Sequence, residues 1–70
     1  MPMPLRELRV SAGLSQRALA QRAGVAANTI VGIETGGRLS HPATRKRIAD
    51  ALGVPVSDVV EFVADFQPTS

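Results

Sequence analysis

The chain has no cysteine, no tryptophan and no tyrosine, and its only aromatic residues are two phenylalanines. Without cysteine it has no disulfide framework, no thiolate metal site and no cysteine nucleophile. Its longest apolar run falls far short of the roughly 20 residues that span a bilayer. No charged segment followed by an apolar one resembles a signal peptide. We therefore expect a soluble cytoplasmic protein with no membrane partner.

The chain of 70 residues, 44% of them hydrophobic, suffices for one small domain with a modest core. A domain of this size buries only about 60% of the surface that its unfolded chain exposes, so a partner subunit would help it. We expect a single domain over residues 1–70. Its core should run from about residue 4 to residue 66, with frayed ends at 1–3 and 67–70.

The net charge of +2 hides a polarity along the sequence. Residues 1–49 hold all eight basic side chains and two of the six acidic ones, a net charge of +6, whereas residues 50–70 hold the other four acidic side chains and no basic one. This division favours a positively charged face that binds a polyanion. A solvated charged surface is the alternative that charge alone leaves open.

Glycines and capping residues divide the sequence into five predicted helices, and sustained apolar–polar alternation, the pattern of a strand, is absent. Ser15 is expected to cap the second helix, Ser40 or His41 the fourth, and Ser57 the fifth. The predicted helix ends lie at Gly13, Gly24, Gly36–Gly37 and Gly53. The predicted inward-facing stripes are Leu5, Leu8 and Ala12; Ala18, Leu19 and Ala23; Ile30 and Ile33; Ile48, Ala49 and Leu52; and Val59, Phe62, Val63 and Phe66. The sequence therefore predicts an all-α bundle.

The segment 16–33 has the pattern of a helix-turn-helix, two helical stretches joined by a short turn that contains Gly24. Ala20 is small where the two helices approach each other, and Gly24 permits a positive φ. Val25, Ile30 and Ile33 are suited to hold the second helix of the motif against the core.

Several short sequence words carry a resemblance to a known family over residues 5–62. They are Leu5-Arg6-Glu7-Leu8-Arg9, Gly13-Leu14-Ser15-Gln16, Leu19-Ala20, Ala23-Gly24-Val25, Thr29-Ile30, Ile33-Glu34-Thr35-Gly36 and Arg47-Ile48-Ala49-Asp50-Ala51-Leu52-Gly53-Val54. In these words the chain resembles the Cro and phage-repressor type helix-turn-helix family, often called Xre-type. The resemblance implies a compact five-helix lambda-repressor-like bundle that binds double-stranded operator DNA as a homodimer, near the nucleoid.

The resemblance also implies which residues meet DNA. It makes 26–35 the recognition helix that enters the major groove, and it gives a DNA-binding set of Gln16, Arg17, Ala27, Asn28, Thr29, Val31, Gly32 and Arg38. Gln16 and Arg17 are expected to meet phosphate or to brace the recognition helix, and Arg38 to contact the DNA backbone. Two interpretations of Arg45-Lys46-Arg47 remain open: these residues form a solvated helix face, or they contact DNA phosphates.

This chain departs from the family pattern on its reading surface. Relatives often carry a serine or threonine at the position of Ala26, and glutamine, arginine or lysine at those of Ala27, Val31 and Gly32. The surface here is small and apolar, which leaves Asn28 and Thr29 as the side chains that hydrogen-bond to bases. A module of the same fold that binds a protein partner is therefore the alternative function.

Arg9 and Glu34 are opposite charges on faces that the helical pattern turns inward. Because an unpaired buried charge is very costly, we expect them to form a structural ion pair. His41 is the only histidine, and no cluster of metal ligands, nucleophile or acid–base pair accompanies it. We expect no enzyme activity, no metal, no cofactor and no small-molecule substrate.

The last predicted stripe has two possible roles. Val59 and Phe62 suit the core of the monomer, whereas the continuation to Phe66 suits a second subunit. We expect a homodimer whose contact includes Phe62, Val63 and Phe66.

Overall fold

A computed structural model describes residues 2–36 and 41–64 of the chain. The described residues form five α-helices: α1 Leu5–Ser11, α2 Gln16–Ala23, α3 Ala27–Gly36, α4 Pro42–Leu52 and α5 Val60–Ala64, with a 3₁₀ turn at Val56–Asp58 before α5. The predicted all-α, five-helix fold is confirmed. None of these helices has the length and apolar character that crossing a membrane requires.

The buried core is apolar and lies around α2, which packs against both α3 and α4. It consists of Leu5, Leu19, Ala20, Ala23, Ile30, Ile33, Ile48, Ala49, Val59 and Phe62. Removing this apolar surface from water is the main stabilising term of the fold. The helix that follows, α3, packs against both α2 and α1.

The ends of α2 and α4 follow the sequence signals. Ser15 precedes α2, and its Oγ accepts a hydrogen bond of 3.0 Å from the N–H of Ala18, so the predicted cap is confirmed. His41 occupies the corresponding position before α4, but its side chain makes no capping hydrogen bond, and Pro42 opens the helix. Ser40, the other predicted cap, lies outside the described residues, as does Gly37.

The first helix is shorter than its apolar stripe predicts. It ends at Ser11, and Ala12 is exposed instead of facing the core with Leu5 and Leu8. The reason is the turn at Gly13, whose φ of +76° stops the helical path just after Ala12.

The start of the fifth helix differs from the prediction. Ser57 caps no helix: it lies inside the 3₁₀ turn, and Val59 has extended backbone with φ −103° and ψ 113°. Val59 forms an isolated parallel bridge with Met3. The N–H of Met3 donates to the carbonyl of Asp58, and the N–H of Val60 donates to the carbonyl of Met3, both over 2.9 Å. This pairing interrupts the helical path until Val60.

Of residues 1–3, which were expected to fray, Met1 lies outside the described residues and the same bridge shows that Met3 is ordered. Met3 is held by backbone hydrogen bonds to the segment before α5, a contact between residues far apart in sequence. No local pattern reveals such a partner. Residues 67–70, the other predicted frayed end, lie outside the described residues.

Candidate nucleic-acid interface

A tight turn joins α2 to α3. Gly24 ends α2 with φ +73° and ψ 34°, a left-handed conformation that costs glycine no Cβ strain. Its N–H donates to the carbonyl of Gln21 over 3.3 Å, and the N–H of Val25 donates to the carbonyl of Ala20 over 3.0 Å. These two bonds satisfy the last carbonyls of α2, so the chain reverses within three residues and starts α3 at Ala27.

The faces of α3 are sharply divided. Ile30 and Ile33 are buried in the core. On the other side Asn28 and Thr35 are exposed, and they lie seven residues, nearly two turns, apart on one face. Val31, partly exposed, lies one turn after Asn28 near the same face. The helix therefore presents one narrow surface to solvent while its other side holds it in place.

The predicted reading residues do not share one environment. Asn28 is exposed, and Thr29, Val31 and Gly32 are each partly exposed. Ala27 differs from the prediction: it is half-buried and packs against the core, because it lies one turn before Ile30 on the inner side. Arg38 lies outside the described residues.

Thr35 is an exposed residue of this face that the sequence analysis did not single out. Its hydroxyl donates a hydrogen bond of 2.8 Å to the carbonyl of Val31, which leaves the oxygen able to accept. Its spacing of seven residues from Asn28 would have predicted that both side chains lie on the same face of the helix.

The predicted ion pair between Arg9 and Glu34 is present and joins α1 to α3. Arg9 Nε donates to Glu34 Oε2 over 2.7 Å, and Arg9 Nη2 donates to Oε1 over 3.1 Å. The third donor, Nη1, binds the carbonyl of Leu14 over 2.9 Å. Only 11% of the Arg9 side chain and 3% of the Glu34 side chain are exposed to solvent. A two-bond fork of this kind fixes the orientation of both groups.

Gln16 extends this network to the start of α2. Its Nε2 donates to Glu34 Oε1 over 3.1 Å, so one carboxylate of α3 holds groups from both preceding helices. The side-chain amide has a second N–H, which makes no hydrogen bond within residues 2–36 and 41–64. Gln16 thus braces α3 and keeps a donor for another group.

The network shifts the pKa of both charged partners. Burial alone would raise the pKa of Glu34, but hydrogen bonds from Arg9 and Gln16 and the positive charges of Arg9 and Arg6 outweigh it and hold that pKa below its usual range. The hydrogen bond to Glu34 raises the pKa of Arg9 against a smaller opposing effect of burial. Both groups therefore stay charged at neutral pH.

The exposed surface of α3 carries no exposed carboxylate. Glu34 is the only acidic residue between Ala27 and Gly36, and Arg9 neutralises it. Arg17, in the first turn of α2, is exposed. The surface formed by the start of α2 and the outer side of α3 is therefore neutral to positive, which suits a polyanion.

The predicted dimer contact requires a correction. Phe62 is only 2% exposed, which confirms its expected place in the core of the monomer and contradicts its predicted contact with a second subunit. Val63 is 41% exposed and its neighbour Val60 is 38% exposed, so α5 does have an apolar outer side. Phe66 lies outside the described residues.

Residues 2–36 and 41–64 contain no group of three or more acidic or histidine side chains placed to hold a metal ion.

The model of one known protein family matches most of the chain. Residues 4–62 match the family model described as a helix-turn-helix domain. The match spans α1 to α4 and most of α5, and it includes the turn at Gly24 and both partners of the ion pair. No curated protein and no solved structure matches the chain.

Proposed function

Because the chain belongs to the helix-turn-helix domain family, whose members are DNA-binding modules, we propose that it is a sequence-specific regulator of transcription that binds double-stranded DNA. Within that family we place it with the Cro and phage-repressor type, as the sequence words suggest. A regulator of this kind works in the cytoplasm in association with the nucleoid, as one domain over residues 1–70 with a core from about residue 4 to residue 66.

The observation that carries the proposal is the exposure of one face of a rigidly held helix. Asn28 and Thr35 project from α3, while Ile30 and Ile33 and the Arg9–Glu34 fork hold the opposite side. A reading helix must keep its position, because a hydrogen bond to a base edge is lost when donor and acceptor shift by a fraction of an ångström. The brace supplies that rigidity.

We assign the base contacts to the outer face of α3, placed in the major groove. Asn28 pairs with adenine N6 and N7, since its amide both donates and accepts. Val31 packs against a thymine methyl group, and Thr35 and Thr29 supply hydroxyl groups at either side. Gly32 has no side chain, so the helix backbone approaches the base edges closely. Ala27 contributes only its methyl group at the edge of the face.

Phosphate contacts position the helix. Arg17 is exposed beside α3 and meets the backbone of the duplex, while the second N–H of Gln16 donates to a phosphate oxygen. Arg38, in the segment between α3 and α4, is expected to add a further backbone contact. These contacts supply affinity for any sequence, and the few polar groups on α3 supply the discrimination.

A homodimer would place two such helices on one operator. The apolar outer side of α5, Val60 and Val63, is the surface that we assign to the second subunit, and Phe66 is expected to extend it. Two recognition helices would then be spaced by one helical turn of DNA, about 34 Å, so a partly palindromic operator is expected.

A protein-binding module is the second candidate, favoured by one observation. Two of the partly exposed positions on α3 are Val31 and Gly32, which offer no hydrogen-bonding side chain. Such a surface also suits the apolar side chains of a protein partner, such as a toxin bound by its antitoxin.

Titration of duplex DNA at two salt concentrations separates the candidates. For a DNA-binding regulator the logarithm of the binding constant should fall with the logarithm of salt concentration, with a slope of about −0.9 for each phosphate neutralised. Several phosphates per subunit would give a steep fall between about 50 mM and about 200 mM salt. Absence of binding to any duplex at the lower salt concentration would overturn the proposal in favour of the protein-binding module.

A further inference from the structure

A second cationic surface lies away from α3, in an open groove between α2 and α4. Arg22, in the last turn of α2, and Arg47, on α4, both line this groove, together with Ala23, Asp50 and Ala51. Both arginines are exposed. The guanidinium of Arg47 extends over the turn between α2 and α3, since its Nη1 would lie 3.9 Å from a Cβ built on Gly24.

Neither arginine is neutralised within the described part of the chain. Arg22 and Arg47 have no hydrogen bond or ion pair there. Asp50 is the only carboxylate lining the groove, and Lys46 approaches it at 3.5 Å. Three positive charges therefore share one negative charge, and two guanidinium groups on different helices remain available.

The groove does not belong to the surface formed by α3 and the start of α2. Arg22 follows Gln16 by six residues, which places it about 120° around the axis of α2 from the side chain that contacts α3. Its neighbours in the groove come from α4 instead. A duplex that receives α3 would meet Gln16 and Arg17, which leaves the groove accessible to a different anionic ligand.

We propose that this groove, named here the α2–α4 groove, binds an acidic segment of a protein partner. Two arginines on two helices match two carboxylates spaced along a peptide, since each planar guanidinium can donate two parallel hydrogen bonds to one carboxylate. The small side chains of Ala23 and Ala51 between them leave room for the peptide backbone. Such a site would let the domain bind DNA with α3 and a protein with the groove between α2 and α4. The proposal goes beyond DNA binding and does not depend on it.

The first test titrates ¹⁵N-labelled protein with a hexaglutamate peptide and follows amide signals. Saturable shifts should cluster at Arg22, Gly24, Arg47 and Ala51. The variants Arg22→Gln and Arg47→Gln should each weaken binding by roughly fivefold, in line with exposed charge pairs. Arg6→Gln, which removes the same charge from an exposed position on α1, should leave the affinity unchanged. Shifts spread over every basic residue, no saturable shift, or equal loss in Arg6→Gln would overturn the proposal.

The second test uses the Arg22→Gln, Arg47→Gln double variant with duplex DNA. If the groove binds protein, DNA affinity and its salt slope should match those of the unchanged chain. A slope reduced by about 1.8, which is two phosphates at about 0.9 each, would assign the arginines to the DNA backbone and overturn the proposal. A third readout is thermal unfolding. If the arginines only offset the carbonyl end of α2, the double variant would unfold at lower temperature yet still bind the peptide, which also overturns it.

Discussion

The carboxylate of Glu61 accepts a hydrogen bond of 2.8 Å from the backbone N–H of Leu5, which lies 56 residues earlier in the chain. Leu5 is the first residue of α1, where the helix has no side-chain cap from Pro4. Glu61 therefore serves as the missing cap from α5 and satisfies one of the free N–H groups at that end.

Replacing Glu61 tests this cap. Glu61→Ala should lower the free energy of unfolding by about 1 kcal/mol, the usual loss when a capping acceptor is removed. Glu61→Gln keeps an acceptor oxygen of similar reach and should lose less, which makes it the matched control. Urea unfolding gives both values, and hydrogen exchange at the Leu5 amide should quicken in Glu61→Ala alone. A Glu61→Ala variant as stable as the unchanged chain would show that the bond contributes nothing.

The Arg9–Glu34 fork should be a large contributor to stability for a domain of this size. Arg9→Met leaves Glu34 buried without its counter-charge and should lower the free energy of unfolding by about 3 kcal/mol. Arg6→Met changes an exposed arginine on the same helix and should stay within about 0.5 kcal/mol of the unchanged chain. Thermal and urea unfolding measure the difference. An Arg9→Met variant that melts with the unchanged chain would contradict the assigned role.

The Glu34 carboxylate should make the free energy of unfolding depend on pH in the acidic range. Because the folded protein holds the pKa of Glu34 below its ordinary value of 4.5, its ionised form contributes stability that is fully present above that value. This contribution is lost as the pH falls through the lower pKa of the folded state. The stability difference between the unchanged chain and Glu34→Gln should therefore be constant near neutral pH and shrink below pH 4.5. Urea unfolding between neutral pH and pH 3 measures it.

Glu7→Gln is the control for that experiment. Glu7 is an exposed carboxylate of α1 with no hydrogen bond or ion pair in the described part of the chain. A Glu34→Gln difference that grows on acidification would mean that the pair is not what stabilises the charged form.

Variants of Asn28 and Arg17 should distinguish the residue that contacts bases from the residue that contacts phosphates. Asn28→Ala should reduce discrimination between a selected operator and its adenine-substituted forms by about 1–3 kcal/mol. Arg17→Ala should weaken all sequences alike and lower the salt slope by about 0.9. Fluorescence anisotropy with a panel of duplexes measures both. Uniform loss on every duplex for both variants would remove Asn28 from the reading set.

Substitutions of the adjacent residues Val63 and Phe62 of α5 should affect different properties, self-association and monomer stability. Val63→Asp changes an exposed valine and should weaken self-association while leaving monomer stability within about 0.5 kcal/mol. Phe62→Ala empties a core position and should cost about 3–5 kcal/mol. Sedimentation equilibrium and urea unfolding distinguish the two. If the mass of the unchanged chain stays that of a monomer at all concentrations, α5 is not a dimer surface.

Much of the candidate site could be predicted because its signals are local. A Ser15 cap needs an acceptor three residues before an N–H, and Gly24 needs only its own missing Cβ to end α2. Ile30 and Ile33 follow from helical period. The Arg9–Glu34 pair was predictable for a different reason: two charges on inward faces must find each other.

Other features could not be read from the sequence. Ser57 has the residue type of a cap, yet the bridge between Met3 and Val59 holds extended backbone where the helix should begin. A stripe of apolar residues on α5 does not say where the core stops and the surface starts, so Phe62 was assigned both to the core, which is confirmed, and to a subunit contact, which its burial contradicts. The error at Ser57 arises from a contact between the two ends of the chain.

The sequence by itself determined the helices, their glycine ends and the helix-turn-helix order, because each depends on residues within a turn or two of one another. Only the tertiary structure decided which N–H Glu61 caps, that Met3 pairs with Val59, and that Arg22 and Arg47 face one groove. Those outcomes depend on which distant segments meet when the chain packs, and side-chain chemistry alone does not specify its partner in space.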